Sequence, residues 1–358
     1  MERQTFSEVL QNWYHRNKRD LPWRNTKDPY MIWLSEVILQ QTRVVQGLPY
    51  YEKFVEKYAT VVDLANADEK DVLRLWQGLG YYSRARNMHQ TAKIIADELN
   101  GEFPGTYAEL VKLKGIGPYT AAAIASFAFD EKVAVVDGNV YRVLARVFGV
   151  ETDIASHEAK KVFSELANEL ISSNSPGTHN QAIMEFGATY CTPANPGCMF
   201  CLFHYDCEAN AKGKQAVLPV KSKKVKVKKR YFDYFVIEQN SKLLMAKRGP
   251  KDIWEGLYDF YLVETKDELL RLEETDNDFL QEVLPIATIK SESAVYKHVL
   301  THQTIEAKFW HVVLNETASL PLPLDYEFYT WQEVEDLPKP VLIEKYLKKH
   351  HAEFACLS

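Results

Sequence analysis

The chain has 358 residues, 46% of them hydrophobic and 26% charged, the proportions of ordinary globular domains, and at roughly 100–200 residues per domain it should form two or three of them. These figures exclude a disordered chain, a small disulfide-stapled scaffold and a membrane bundle, since no apolar run approaches the ~18 residues of a bilayer span. The net charge of −6 argues against an indiscriminate nucleic-acid coat, but it is unevenly spread: residues 212–230 carry nine basic and no acidic residues, between blocks of −5 and −10.

The opening MERQTFSEVL lacks a basic stretch followed by an apolar core, so no secretory signal is expected and the reducing cytoplasm is the expected compartment. The five cysteines are then read as ligands or free thiols rather than disulfides. Up to about residue 210, apolar residues recur at helical spacing in residues 29–41, 119–129, 139–150 and 157–171, with no alternating strands between them. The first part is expected to be all-α. In residues 29–41, Glu36 has Ile32, Trp33, Leu39 and Gln40 as its i±3 and i±4 neighbours. Desolvation on so apolar a face would raise its pKa, which suits a general acid near neutral pH; the alternative is a helix glutamate pointing at solvent.

In LKGIGPYTAAAIASFAF, residues 113–129, Gly115 and Gly117 would allow a tight turn at positive φ, Pro118 suits a first helical position, and the alanines permit close packing. The backbone N–H groups of Gly117, Tyr119 and Thr120 would sit at a positive helix end, a ready phosphate seat. Such a turn is also an ordinary helix connection; the flanking helices make it a candidate helix–hairpin–helix, which grips DNA backbone without reading sequence. In VAVVDGNVYRVLARVFGV, residues 133–150, an apolar run leads to Asp137, Gly138 and Asn139 and then a helix. Asp137 reads as an N-cap or as a carboxylate facing a cation, and both can hold at once.

Cys191, Cys198, Cys201 and Cys207 form a C-x6-C-x2-C-x5-C cluster. Four thiolates this close can surround a tetrahedral zinc or a cubane iron–sulfur cluster, and their chemistry alone does not choose. Cys356 is assigned no role. The +9 stretch reads as an exposed connector, either a solvated linker or one lying near phosphates. Beyond it, residues 231–238, 242–248, 257–264, 294–300 and 304–314 are β-branched and aromatic runs, with helical patterns at 267–274 and 341–350. This part is expected to be α+β.

Taken together, WLSEVILQQTRV, LKGIGPYTAAAIASFAF, VVDGNVYRV and the cysteine cluster resemble the helix–hairpin–helix DNA glycosylases with a [4Fe–4S] cluster, and within them the branch that removes adenine mispaired with 8-oxoguanine. The β-rich tail is similar to that branch's C-terminal domain, which is related to Nudix hydrolases. The implied fold is multidomain: an all-α helix–hairpin–helix glycosylase domain with an iron–sulfur cluster loop, plus an α+β Nudix-like C-terminal domain. The implied division is a cluster-bearing helical subdomain from residues 1–28 and 130–211, a six-helix barrel at 29–129, a basic connector at 212–230 and a lesion-recognition domain at 231–358.

The resemblance also implies roles. Glu36 matches the general acid that protonates adenine, Asp137 the carboxylate that stabilises the oxocarbenium-like sugar, and Tyr119 and Asn139 residues that assist and orient them. Trp23, Arg24 and Gln181 match positions lining the adenine pocket; for Gln181, a helix-surface amide is the other reading. Gln41 and Tyr81 match side chains that enter the duplex when the base is flipped out, and Gly115, Gly117 and Thr120 belong to the DNA-gripping hairpin. The four cysteines match the ligands of a [4Fe–4S] cluster. Tyr119 stands where endonuclease III-type relatives carry a lysine that attacks the sugar, which implies a monofunctional enzyme.

Leu300, Thr301 and His302 stand where the 8-oxoguanine-contacting loop usually reads Phe-Ser-His, preserving an apolar contact and a hydroxyl but losing an aromatic stack. A His298/His302 zinc pair is the rival reading of that segment. The glutamate-rich Nudix motif that binds Mg²⁺ is missing, so no diphosphatase activity is expected, and TPANPG between Cys191 and Cys198 lacks the basic residues relatives often carry. The implied partner is double-stranded DNA containing 8-oxoG:A or G:A mispairs, with no membrane, bound by a monomer that is cytoplasmic and nucleoid-associated. An endonuclease III-like pyrimidine glycosylase and a non-catalytic iron–sulfur DNA-binding protein are the rival functions.

Overall fold

The computed structural model describes residues 3–222, 227–270, 272 and 275–355. Cys356 and the end of the chain therefore lie outside the described residues. The chain divides into two compact units, one formed by Met1–Asn66 with Asn87–Lys223 and the other by Ala67–Arg86 with Lys224–Ser358.

Among the described residues the first unit is helical throughout. In chain order the helices are α1 (Arg3–Asn17), α2 (Pro29–Leu39), α3 (Val44–Lys57) and α4 (Val61–Ala65), then α5 (Glu69–Trp76), which belongs to the second unit, and α6 (Ser83–Glu98), whose residues up to Arg86 belong to the second unit and the rest to the first. There follow α7 (Tyr107–Leu110), α8 (Pro118–Phe129), α9 (Gly138–Phe148), α10 (His157–Leu170), α11 (Pro176–Thr189) and α12 (Glu208–Ala211). Helix α2 starts where Asp28 accepts a hydrogen bond from the Tyr30 amide and Pro29 takes a position whose N–H would otherwise be orphaned. It is apolar all round and buried over Ile32–Ile38, as a helix surrounded by others must be. Its neighbour α8 presents Ala121–Ala125, all buried, so the two backbones approach closely.

Helix α9 is amphipathic instead. Its Val140, Val143, Leu144 and Val147 enter a core with Phe6 and Leu10 of α1, Phe163 of α10 and Ile183 and Phe186 of α11. At the N-terminal end of α9 the approach of α11 is tight: a Cβ on Gly187 would lie 2.7 Å from Asn139 Cβ and 2.9 Å from its carbonyl oxygen. Glycine here is a steric requirement.

The second unit is built on a seven-stranded mixed sheet of β1 (Lys228–Gln239), β2 (Lys242–Lys247), β3 (Tyr258–Thr265), β4 (Ala287–Glu292), β5 (Tyr296–Val299), β6 (Gln303–Leu314) and β7 (Tyr326–Thr330). The strand order is β4-β6-β1-β3-β2-β7, with β5 also on β6; β1 and β6 run parallel and the other pairs antiparallel. Helices α13 (Asp278–Val283), α14 (Trp331–Asp336), α15 (Val341–Lys349) and α16 (His351–Ala355) complete it, with Tyr346 of α15 stacked on Phe309 of β6 at 4.1 Å.

The five expected strand segments are strands, and residues 341–349 are a helix. The helical pattern at 267–274 is not realised over its first half, where residues 266–268 form a bend and 269–270 are irregular; Leu272 is 3₁₀-helical, and Arg271, Glu273 and Glu274 lie outside the described residues. Local propensity yields there to the buried Asp233 carboxylate, which accepts the Leu270 amide at 2.7 Å and the Trp310 indole N–H at 3.1 Å. Of the basic stretch, Leu218 is buried and its carbonyl accepts from Arg146 Nε, Lys228–Arg230 open β1, and residues 223–226 lie outside the described residues. No helix among the described residues is long and apolar enough to cross a membrane.

Candidate active site

In the first unit, a cleft of about 180 Å³ opens among α2, α8, the N-terminus of α9, α11 and the turn Pro22–Arg24. Glu36, Tyr119, Asp137, Asn139, Trp23, Arg24 and Gln181 all line it. Glu36 is 8% exposed. The Tyr119 hydroxyl donates to its Oε2 at 2.7 Å, leaving the other carboxyl oxygen to carry a proton. Desolvation pushes the Glu36 carboxyl up to about 7, against the pull of the Tyr119 hydrogen bond and Arg24 and with the push of nearby Asp137. Burial, with the Glu36 and Asp137 charges, holds the Tyr119 phenol well above its usual range, so it stays a donor.

Asp137 is the N-cap of α9. Its Oδ1 accepts the Asn139 and Val140 amides at 2.9 and 2.8 Å, and its Oδ2 accepts the Asn139 side-chain amide at 2.8 Å. Burial raises its pKa, while these three donors and Arg142 hold the rise in check. The apolar run before it is an irregular extended segment, tied down where the Val135 amide donates to Asn180 Oδ1 and Asn180 Nδ2 donates to the Val133 carbonyl. One cleft therefore holds two carboxyls in contrasting settings, one in an apolar wall and one in a cradle of N–H groups.

The opposite wall holds a residue absent from the sequence reading. Glu185, buried on α11, accepts Arg19 Nε at 2.8 Å, Arg19 Nη2 at 2.6 Å and Arg24 Nη2 at 2.7 Å. Burial pushes its carboxyl up, but the two guanidiniums outweigh burial and bring it down to about 2. Gln181, Met184, Glu185 and Ala188 lie on one face of α11 at helical spacing, a pattern that could have pointed to it. The Tyr14 hydroxyl fixes Gln181 by donating to its Oε1 at 2.5 Å.

The hairpin before α8 turns at Gly115, whose φ of 89° needs glycine, and a Cβ there would lie 2.9 Å from Thr91 Oγ1. Gly117 departs from the expectation of positive φ: it is the N-cap of α8 at φ −81°. It is exposed, no side chain caps the helix, and nothing lies within 4 Å of where its Cβ would be. The Thr120 side chain is buried and accepts from Gln40 Nε2 at 3.5 Å. Gln41, in the turn after α2, is exposed and left-handed at φ 55°. Tyr81, in the second unit, is likewise exposed and left-handed at φ 49°. Within that unit its hydroxyl is hydrogen-bonded to Thr301.

Leu300, Thr301 and His302 connect β5 to β6, where the Leu300 amide donates to the Gln303 carbonyl at 2.8 Å; Thr301 and His302 are exposed. The His298 ring meets Trp254 edge-on at 5.8 Å. The four cysteines are partly buried free thiols. Arg146 of α9 donates to Cys191 Sγ at 3.4 Å and the Thr192 carbonyl at 2.7 Å, and the Phe203 amide donates to Cys201 Sγ at 3.4 Å. Among the described residues no group of three His, Cys, Asp or Glu side chains stands ready to hold a single metal ion.

The profile of the HhH-GPD superfamily base excision DNA repair proteins matches residues 34–169, and that of the NUDIX domain matches 233–349. The adenine DNA glycosylase of Buchnera aphidicola subsp. Baizongia pistaciae is 33% identical over 317 residues, 87% of each chain. The chain belongs to the adenine DNA glycosylase family. It is a DNA glycosylase, a hydrolase of N-glycosyl bonds, with a helix–hairpin–helix glycosylase domain followed by a Nudix-like domain. The Rattus norvegicus adenine DNA glycosylase is 43% identical over 226 residues, 60% of this chain and 44% of that one. A solved thermostable thymine-DNA glycosylase superposes on this glycosylase with a TM-score of 0.55 at 29% identity, over 59% of this chain and 97% of its own.

Proposed function

We propose that this glycosylase removes adenine mispaired with 8-oxoguanine, or with guanine, from double-stranded DNA by a monofunctional reaction. The observation that carries the reading is the pairing of Tyr119-bonded Glu36 with amide-cradled Asp137 in one cleft. Glu36, protonated near neutral pH, gives its proton to N7 of the flipped adenine as the bond from N9 to C1′ breaks. Asp137, cradled by the N–H groups of Asn139 and Val140, stabilises as a carboxylate the positive charge that develops at C1′. Water then adds to C1′, and its proton returns to the Glu36 carboxylate. Tyr119 supplies a phenol where a strand-cleaving enzyme needs an amine, so no Schiff base forms. Trp23, Arg24 and Gln181 line the space assigned to the adenine ring.

Exposed Gln41 and Tyr81 would fill the duplex where the base leaves, and the uncapped N–H groups of Gly117, Tyr119 and Thr120, presented by the Gly115 turn, would take a phosphate. Leu300, Thr301 and His302 are assigned to 8-oxoguanine. Cys191, Cys198, Cys201 and Cys207 would hold a [4Fe–4S] cluster; the fit lies in four partly buried thiols with N–H groups of Arg146, Phe203, Ala209 and Asn210 aimed at their sulfurs. Such a cluster, when bound, supplies a redox-capable core that ties the loop together at four points. The cluster-bearing part is assigned to residues 1–28 and 130–211, the barrel to 29–129, the connector to 212–230 and lesion reading to 231–358. The enzyme is assigned to the cytoplasm, as a monomer on nucleoid DNA.

The test is incubation with duplexes containing 8-oxoG:A, G:A or thymine glycol, with aliquots heated with and without alkali. Adenine release opposite 8-oxoguanine, with strand breaks only after alkali, is expected. Release of thymine glycol, or breaks without alkali, would support the endonuclease III-like alternative, and binding without release the non-catalytic one.

A further inference from the structure

The charged side chains lining the cleft are Glu36 and Asp137 together with Arg19, Arg24 and Glu185, the last three bonded to one another. The groups acting on Glu36 are Tyr119 from α8, Asp137 from the N-cap of α9 and Arg24 from the Pro22–Arg24 turn, while Arg19 and Glu185 of α11 line the same cleft. A cationic guanidinium in a small apolar cleft with a carboxyl meant to be protonated is a hazard, because an opposite charge within ~4–6 Å lowers a carboxyl pKa by 1–3 units. Here the guanidinium is already engaged. Arg24 Nη2 donates to Glu185 Oε2 at 2.7 Å and Nη1 to the Arg19 carbonyl at 3.1 Å, while its plane lies over the Tyr14 ring at 5.6 Å. Arg19 grips the same carboxylate with two N–H groups and with its own backbone amide at 3.0 Å. Glu185 thus has a full set of donors and no spare lone pair to offer a substrate, a poor arrangement for reading a base and a good one for fixing a cation.

We infer that Glu185 is a positioning residue: by holding the Arg24 guanidinium against α11, it keeps that cation from pairing with Glu36 and so preserves a protonated Glu36 at working pH. Without Glu185, the carboxylates left to Arg24 in the cleft are Glu36 and Asp137. Pairing with either one removes a catalytic state, since Glu36 would lose its proton or Asp137 its free charge.

The inference rests on Glu36 being the general acid, and the experiment separates the two. Single-turnover adenine release is measured from pH 5 to 9 for wild type, Glu36→Gln and Glu185→Gln. Wild type should lose rate as pH rises through about 7, the value set chiefly by desolvation of Glu36. In Glu185→Gln that limb should move acidward by about one unit or more, so that the rate at pH 7.5 falls about tenfold while the acid plateau stays within a few-fold of wild type. Removing the cation as well, in Glu185→Gln with Arg24→Met, should return the limb to the wild-type position or above it. Should Glu185→Gln fail to fold, Glu185→Asp keeps the charge but withdraws it by one methylene, and a smaller shift in the same direction is expected. A plateau lowered at every pH with the limb unmoved, in whichever variant folds, would overturn the inference by reducing Glu185 to a structural ion pair. A limb already missing from wild type, or persisting in Glu36→Gln, would instead overturn the assignment of Glu36.

Discussion

One methyl group at Gly187 tests how tightly the catalytic wall is set. An alanine Cβ at this position would meet Asn139 Cβ at 2.7 Å, its carbonyl oxygen at 2.9 Å and its carbonyl carbon at 3.1 Å. Carbon atoms rest at about 3.5–4.0 Å, so the start of α9 must retreat by roughly 0.4–0.8 Å. The obstacle is largely backbone and cannot swing aside as a side-chain tip would. Overpacking of this kind costs about 1–3 kcal/mol, and the better helix propensity of alanine over glycine recovers at most about 1. Because the clash is with main chain, the cost falls at about 2–3 kcal/mol of that range, and a net loss of about 1–2 kcal/mol lowers the melting temperature of a unit this size by about 2–8 °C. Activity should suffer more than stability, because the displaced turn carries Asp137 and Asn139, and misplacement by about 1 Å costs ~10²-fold. The assay pairs thermal melting with single-turnover adenine release and duplex binding. Gly187→Ala should melt lower, excise at least about tenfold more slowly and still bind DNA. Wild-type melting and rate would show that α11 and α9 are looser than the structure has them, and would refute the argument.

Glu36→Gln and Asp137→Asn should each reduce adenine release by ~10²–10⁴ or more while leaving binding intact; asparagine still caps α9, so a loss in Asp137→Asn reports the charge rather than the fold, and retained rates would remove the residue from the mechanism. The purified protein should be yellow-brown with about four irons per chain, and replacing Cys198 or Cys201 should unfold the 191–207 loop; a colourless, fully active zinc protein would overturn the cluster assignment. Thr301→Ala should lower the preference for 8-oxoG:A over G:A by a few-fold to tens of fold, with less effect on excision at saturating enzyme, since a net hydrogen bond is worth ~0.5–1.5 kcal/mol and an unsatisfied group ~1–3. Unchanged discrimination at one fixed salt concentration would take Thr301 out of lesion reading.

Legibility in the sequence followed the range of the forces involved. Glu36 stands out because its burial is written in its own helix, where Ile32, Trp33, Leu39 and Gln40 flank it. Asp137 was ambiguous between cap and catalytic carboxylate, and the structure gives it the cap while also setting it on the cleft. Glu185 escaped notice because a glutamate on α11 looks like any solvent-facing charge until Arg19 and Arg24, more than 160 residues away, close on it. At Gly117 the sequence does not tell a glycine at positive φ from one at an ordinary N-cap angle, and the structure has the latter, φ −81°. Strands β4 and β7 went unread, since β4 is mostly exposed and β7 only half-buried and neither shows a clean alternation. The expected helix at 267–274 failed where Asp233, distant in sequence, captures the Leu270 amide.

The connection from β5 to β6 is pinned from outside its own tip. The Leu300 amide and Gln303 carbonyl close it, the His302 carbonyl accepts the Lys228 amide at 3.0 Å, and Val299 pairs with Thr304 behind it. All of these are main-chain bonds, indifferent to which side chains occupy positions 301 and 302. Apart from the Thr301 hydroxyl bonded to Tyr81, the side chains at those two positions can therefore vary in chemistry while the main chain of the loop keeps its place. Whatever those two side chains contact is thereby open to selection from a randomised pair of residues without renegotiating the fold.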